Sequence, residues 1–240
     1  MVASKKFIPS LFTILNAFCG FMSAVAASNS EFNNAVYFIF FAVIFDMLDG
    51  MVARILKTSS DFGVELDSLS DVISFGFAPS FLLYNFFFKD YGEAGLAISA
   101  MIMAFSAIRL ARFNVDLVGF NKDVFFGLPT PMAALTVCSY IMFVHGKMLD
   151  DETSRTFIFV VTIGISLLMV SKIRFAAIPA LSMKTIKTRK YTYILIILGF
   201  ILSVLTKGKA IFPISIVYIL SGFIMTIADI KGRKRQPRNI

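Results

Sequence analysis

The 240 residues contain no tryptophan, one histidine and two cysteines, and only 16% are charged. Soluble domains carry about 25% charge, and here the hydrophobic share reaches 58%. Too little polar surface remains to cover that much apolar side chain, which excludes a soluble domain of this size. The two cysteines, Cys19 and Cys138, both lie inside apolar runs. They read as packed thiols, so neither a disulfide framework nor a zinc site is expected. The lone His145 falls at the far end of an apolar run and is expected to play no part in catalysis. No segment alternates apolar and polar residues over strand lengths, as a membrane β-barrel would require. No internal repeat is evident, and aromatic and basic residues do not interleave as they would on a nucleic-acid-binding surface.

What is present is long uncharged apolar segments, with 28 Phe and a mean hydropathy of +0.81. Eight of them stand near 8–27, 34–56, 71–88, 93–114, 131–147, 156–171, 191–206 and 210–229. The expected fold is therefore an all-α polytopic membrane bundle of about eight transmembrane helices. The first segment is too long for the core of a cleaved signal, about 7–15 residues, and carries Pro9, Thr13 and Asn16, which suit a helix facing a site. Pro79 is expected to interrupt the third helix. With eight spans, eighteen of the 23 Lys and Arg fall on the side of the termini, and Lys89, Lys147, Arg155, Lys207 and Lys209 on the other. That bias places both termini in the cytoplasm of a cell-membrane protein. The net charge of +8 then forms a skirt at anionic headgroups, and no nucleic-acid partner is implied. The chain divides into one transmembrane catalytic domain, 1–229, and a basic cytoplasmic tail, 230–240. The domain has a core at 1–171 and additional helices at 191–229, read as scaffold or dimer surface.

The acidic residues locate the chemistry. Asp46 and Asp49 sit in the second apolar segment, and Asp67 and Asp71 at the start of the third. An ionised Asp at a membrane helix centre costs about 2.5–3.5 kcal/mol, so something must offset four of them. On a helix, Asp46, Asp49, Gly50 and Ala53 share an arc of about 100°, with Arg54 at its edge. Gly63, Asp67 and Asp71 share about 80° of the next. The short connection from Ile55 to Phe62 makes the two helices antiparallel neighbours. Four carboxylates facing one another need cations between them. Hard oxygen ligands suit Mg²⁺ or Mn²⁺, and two such ions would balance the charge. A two-metal carboxylate site at a membrane surface is suited to phosphoryl transfer.

Asp46-Met-Leu-Asp49-Gly50-Met-Val-Ala53-Arg54, eight residues, Gly63, three residues, Asp67, three residues, Asp71 is a nine-position pattern. It resembles the signature of the CDP-alcohol phosphotransferase family at every defined position. The resemblance implies a helical membrane enzyme that moves a phosphate-linked group from a CDP-linked donor to an alcohol and releases CMP. By that resemblance Asp46, Asp49, Asp67 and Asp71 hold the metals, and Asp71 is also the general base. Gly50 and Arg54 contact the CDP moiety, with Ser60 in the following turn. Pro9 to Thr13 resembles the family's first-helix entry near the nucleotide, which adds Ser10 and Thr13. A homodimer is implied on the same ground.

Two more segments bear on the acceptor. Ile108-Arg109-Leu-Ala-Arg112-Phe-Asn114 and Gly127-Leu-Pro-Thr-Pro131 resemble the branch of that family that couples CDP-diacylglycerol to L-serine. Arg109 and Arg112 would meet the amino acid's carboxylate, and Asn114 its ammonium. Gly127–Pro131 reads equally well as a rigid entry to the fifth helix or as a pocket wall. A glycerol 3-phosphate or inositol phosphate acceptor is the nearer alternative, and a divalent-cation transporter the remote one. Transport predicts midplane carboxylates on broken helices, often in inverted repeats.

Overall fold

The computed structural model of the chain describes residues 2–58, 60–116, 124–146, 151–176 and 190–234. Helix α1 (Val2–Ser28) is followed by α2 (Phe32–Leu56) and α3 (Asp61–Asp71). A π-helical turn (Val72–Phe77) leads into α4 (Ala78–Leu83), then a second π turn (Tyr84–Phe88) and a 3-10 turn (Lys89–Tyr91). Next come α5 (Gly92–Asp116), strand β1 (Val124–Phe126), α6 (Thr130–Phe143) and α7 (Asp151–Val170). Strand β2 (Arg174–Ala176), α8 (Lys190–Leu205) and α9 (Ile211–Lys234) complete the chain. Helix α9 runs past the expected boundary at 229, and residues 235–240 of the basic tail lie outside the described residues.

Among the described residues, five helical stretches are long and apolar enough to cross a membrane. They are Phe7–Ser28, Phe32–Leu56, Asp61–Val115, Glu152–Val170 and Ile211–Asp229, with Thr130–Phe143 and Ile194–Leu205 as shorter apolar helices. The 55-residue stretch Asp61–Val115 is not one rod. Gly92 takes a φ of 57°, a backbone conformation that costs glycine little, and the chain reverses there. Helix α5 then lies back against the first π turn and α4. The interruption expected at Pro79 is that π turn. Proline supplies no N–H, and the wider i→i−5 bonding, Ala78 N–H to Ile73 carbonyl, immediately precedes it.

Among the described residues, the departure from an all-helical reading is a three-residue antiparallel pairing of β1 with β2, Phe125 opposite Phe175. Both segments lie between helices and are rich in aromatic residues that favour extended backbone. The pairing satisfies backbone groups that no helix takes up. Just beyond it, Gly127 N–H donates to Ile173 carbonyl (2.9 Å) and Leu128 N–H to Leu168 carbonyl (3.0 Å). Gly127–Pro131 is thus a pinned entry to α6.

The core is built of Ala35, Val36, Ile39 and Ala42 from α2, Phe75 and Ala78 from the third pass, and Ala133, Val137 and Tyr140 from α6. Helix α1 packs along α2 and also along α3 and the first π turn, whereas α2 and α3 approach each other little. The antiparallel neighbours expected from the short connection are therefore held apart at their backbones, with α1 alongside both. Helix α5 packs on α7, and α6 on α2 and α9. Helix α8 touches little besides α9 and leaves its apolar side chains exposed.

Candidate active site

The connection between α2 and α3 is built from local backbone chemistry. Lys57 takes the left-handed conformation (φ 53°) and its N–H bonds back to Ala53 and Arg54 carbonyls, which ends α2. Ser60 then caps α3, its hydroxyl accepting the Gly63 N–H at 3.1 Å. Ser60 therefore starts the helix that carries Asp67 and Asp71.

Across this connection the carboxylates converge. One oxygen each from Asp46, Asp49 and Asp67 lies within 4.8 Å of the others. Asp49 is buried, and Asp46 and Asp67 are half-buried. Asp49 Oδ2 and Asp67 Oδ1 have no hydrogen-bond partner in the protein although both are shielded from solvent. Buried carboxylate oxygens left this way cost several kcal/mol, about 3–5 for a broken buried pair, unless a cation meets them. An all-oxygen, open set of this kind fits a hard divalent cation.

Asp71 stands beside this triad. It is buried, and its charge interacts with those of Asp46, Asp49 and Asp67. Its Oδ1 accepts a hydrogen bond from Asn16 Nδ2 at 3.2 Å. Arg109 is only 7% exposed, its charge also couples to Asp71, and its Nε has no partner.

Helix α1 supplies one wall. Thr13, Asn16, Gly20 and Ser23 recur at helical spacing and are all buried. Thr13 bonds Pro9 carbonyl (3.2 Å) and interacts with the Asp49 carboxylate. At Gly20 a Cβ would stand 2.7 Å from Ser74 Cα, so only glycine lets α1 come this close to the first π turn. That approach brings Asn16 to Asp71. Ser10 is half-buried one turn before Thr13.

The remaining anticipated residues divide by position. Gly50 has open space beside it, a Cβ there meeting only the end of Arg54 at 3.6 Å. Arg54 is exposed and folds back, its Nε donating to Gly50 carbonyl at 2.7 Å. Arg112 is exposed and donates through both terminal nitrogens to Val170 carbonyl (3.2 Å each), so it caps the last turn of α7. Asn114 ties α5 to α3, bonding Ser68 (3.0 Å) and Glu65 (3.3 Å) through Nδ2 and accepting from Ser68 Oγ through Oδ1 (3.2 Å). His145 stacks edge-on against Phe86 and Phe87, and its Nδ1 pairs with Ser154 Oγ at 2.7 Å.

Two residues near the site have no role assigned to them from the sequence, although Asn16 reads there as suiting a helix that faces a site. Asn16 carried a visible signal, a polar residue on the buried stripe of an apolar helix. Tyr218 of α9 carried none, yet it interacts electrostatically with Arg109 and donates to Ala176 carbonyl at 3.1 Å. The last helix is thus more than scaffold. It closes the bundle near the buried arginine.

The sequence profile of the CDP-alcohol phosphatidyltransferase family matches residues 6–166. A CDP-diacylglycerol–serine O-phosphatidyltransferase of Helicobacter pylori is 36% identical over 218 residues, 90% of this chain and 89% of its own. The Methanocaldococcus jannaschii protein of the same name is 39% identical over 169 residues, 70% of this chain and 72% of its own. An archaetidylserine synthase of Methanothermobacter thermautotrophicus is 37% identical over 182 residues, 74% of this chain and 73% of its own.

Proposed function

Since the chain belongs to the CDP-alcohol phosphatidyltransferase family, we propose that it transfers the phosphatidyl group of CDP-diacylglycerol to L-serine and releases CMP. The observation that carries this is the Asp46–Asp49–Asp67 triad with its unpartnered oxygens, set beside Asp71 and the buried Arg109.

Asp46, Asp49 and Asp67 would hold divalent metal, Mg²⁺ or Mn²⁺, with Asp71 completing a four-carboxylate set for two ions. When bound, the metal neutralises pyrophosphate charge and favours departure of CMP. The chain's own residues do the rest. Asp71 accepts the proton of the serine hydroxyl as that oxygen bonds to the phosphorus of the phosphatidyl group and the phosphorus–oxygen bond to CMP breaks. Arg109 meets the serine carboxylate and holds the acceptor in line. Open space at Gly50 admits the nucleotide, with Arg54, Ser60, Ser10 and Thr13 around it. Arg112 and Asn114 secure α5 against α7 and α3 at the acceptor side.

The wider reading is of an eight-pass protein of the cytoplasmic membrane. The stretch Asp61–Val115 counts as two passes because it reverses at Gly92, and the two shorter apolar helices complete the number. The excess of Lys and Arg on the terminal side supports cytoplasmic termini and a site facing the cytoplasm. Residues 1–171 form the catalytic core, with the last two helices added to it and a basic tail at anionic lipid. The exposed apolar face of α8 supports contact with lipid or with a second copy of the chain.

The test is CMP release by purified protein in detergent with CDP-diacylglycerol and Mg²⁺ or Mn²⁺, offering L-serine, glycerol 3-phosphate or inositol phosphate separately. Release with serine alone, lost on adding EDTA, is the expected result. Release with another alcohol would keep the family chemistry and overturn the acceptor. No release from folded protein would favour cation transport.

A further inference from the structure

Two buried polar atoms of opposite character belong to residues that act on Asp71, Asn16 through a hydrogen bond and Arg109 through its charge. Arg109 Nε is a donor without an acceptor, and Asn16 Oδ1 is an acceptor without a donor. Asn16 is fully buried, and its Nδ2 is already spent on Asp71 Oδ1, which fixes the orientation of the amide. The reverse orientation would set Asn16 Oδ1 against a carboxylate oxygen. The free carbonyl of Asn16 is therefore placed beside the carboxylate that would take the acceptor's proton. Leaving such a buried acceptor unpaired costs about 1–3 kcal/mol, which a ligand donor would recover.

We infer that Asn16 Oδ1 receives the ammonium group of the acceptor, with Arg109 at its carboxylate, and so makes the site selective for a zwitterionic amino alcohol. The inference rests on the serine-transfer reading above and deepens it. It moves ammonium recognition from Asn114, whose amide is committed to Ser68 and Glu65, to the buried wall formed by α1.

Hydrogen-bond chemistry favours the same acceptor. Asp71 interacts with three other carboxylates, a set whose charge two divalent ions would balance, and Arg109 is coupled to it. A zwitterion adds no net charge to this surrounding. A phosphorylated alcohol adds about two negative charges and has no ammonium group, so it can offer Asn16 Oδ1 only neutral hydroxyl donors. The carbonyl binds the charged donor more strongly than a neutral one. Selectivity then comes from the charge-assisted bond that only the amino alcohol makes.

The experiment uses the full-length protein in detergent and the variants Asn16→Ala and Asn16→Leu. Two serine fragments serve as competitors of CMP release. One is 3-hydroxypropanoate, which keeps the carboxylate and hydroxyl and lacks the ammonium. The other is ethanolamine, which lacks the carboxylate. The expected result is a serine KM raised at least about tenfold, as loss of a charge-assisted hydrogen bond predicts. Inhibition by ethanolamine should weaken in parallel. Inhibition by 3-hydroxypropanoate and the KM for CDP-diacylglycerol should stay within about twofold of the parent. A residue that only positions Asp71 would instead lower kcat and leave the discrimination between the two fragments unchanged, and that outcome overturns the inference. If the variants are folded but too slow to assay, equilibrium binding of radiolabelled serine, displaced by each fragment, gives the same comparison. Unchanged serine binding there also overturns it. Failure of the parent protein to use serine at all would be a failure of the serine-transfer reading, recognised before any variant is made.

Discussion

At the scale of single residues, the site separates side chains that the sequence presents as equivalents. Asp46, Asp49 and Asp67 converge, whereas Asp71 is set apart by its bond to Asn16 and its proximity to Arg109. Asp71→Asn keeps the size of the side chain and removes its capacity to take a proton. Turnover should fall by about 10²–10⁴-fold with little change in thermal midpoint, measured by CMP release and by melting in detergent. Activity near that of the parent would remove Asp71 from proton transfer. Arg109 and Arg112 separate in the same way. Arg109→Ala should raise the serine KM without altering that for CDP-diacylglycerol. Arg112→Ala should leave the serine KM nearly unchanged and cost about 1.5–3 kcal/mol of stability, because its guanidinium bonds the carbonyl of Val170. A larger effect of Arg112→Ala on serine KM than that of Arg109→Ala would reverse the assignment.

At the scale of elements, the position of α1 decides whether the site exists. Helix α1 brings Thr13 to Asp49 and Asn16 to Asp71, and it can do so because Gly20 rests on the backbone of Ser74. Adding a methyl at Gly20 must push α1 away from the first π turn, since backbone atoms cannot swing aside. Gly20→Ala should therefore destabilise by about 1–3 kcal/mol and lower kcat together. Gly164→Ala, where a Cβ would meet nothing within 4 Å, is the matched control and should be close to neutral. Equal behaviour of the two variants in melting and turnover would show that the close approach is not needed. The π turn belongs to the same argument. It follows Asp71 directly and shifts the register of the helix, so that Asp71 faces α1 while Gly76 lies against Ser106 of α5.

At the scale of the whole molecule, the last helix binds the connection after α7 into one unit with the bundle. Arg174 pairs with Asp229 at 3.0 Å and its N–H donates to Thr226 Oγ1 at 2.9 Å. Phe175 lies against Gly222, and Tyr218 stacks on Phe175 and interacts electrostatically with Arg109. Ending the chain before Lys190 removes all of these. The shortened protein should insert in the membrane yet melt at lower temperature, and its serine KM should rise more than its KM for CDP-diacylglycerol. An undiminished serine KM would return α9 to a supporting role. Helix α8 lacks such anchors. Its exposed apolar residues are stable only against lipid or another protein surface, which is why this helix alone says little about catalysis.

The sequence by itself determined the membrane class, the apolar segments and the four aspartates, for one physical reason. Burying charge in hydrocarbon is so costly that carboxylates placed there at helical spacing announce a shared purpose. The same holds for the serine-like motif around Arg109, which is legible because its residue types and spacing are local. Only the tertiary structure decided which partner each of these groups meets. Nothing in the spacing of Asp46 to Asp71 says that α1 stands alongside both helices, because that depends on Gly20 finding the backbone of Ser74. Nothing local says that Asn114 and Arg112 are bonded to Ser68, Glu65 and Val170, or that Tyr218 approaches Arg109 from more than a hundred residues away. Hydrophobic burial in a bilayer fixes which segments are helices, while the pairing of their polar side chains follows from close packing between helices, and that is a property of the assembled bundle.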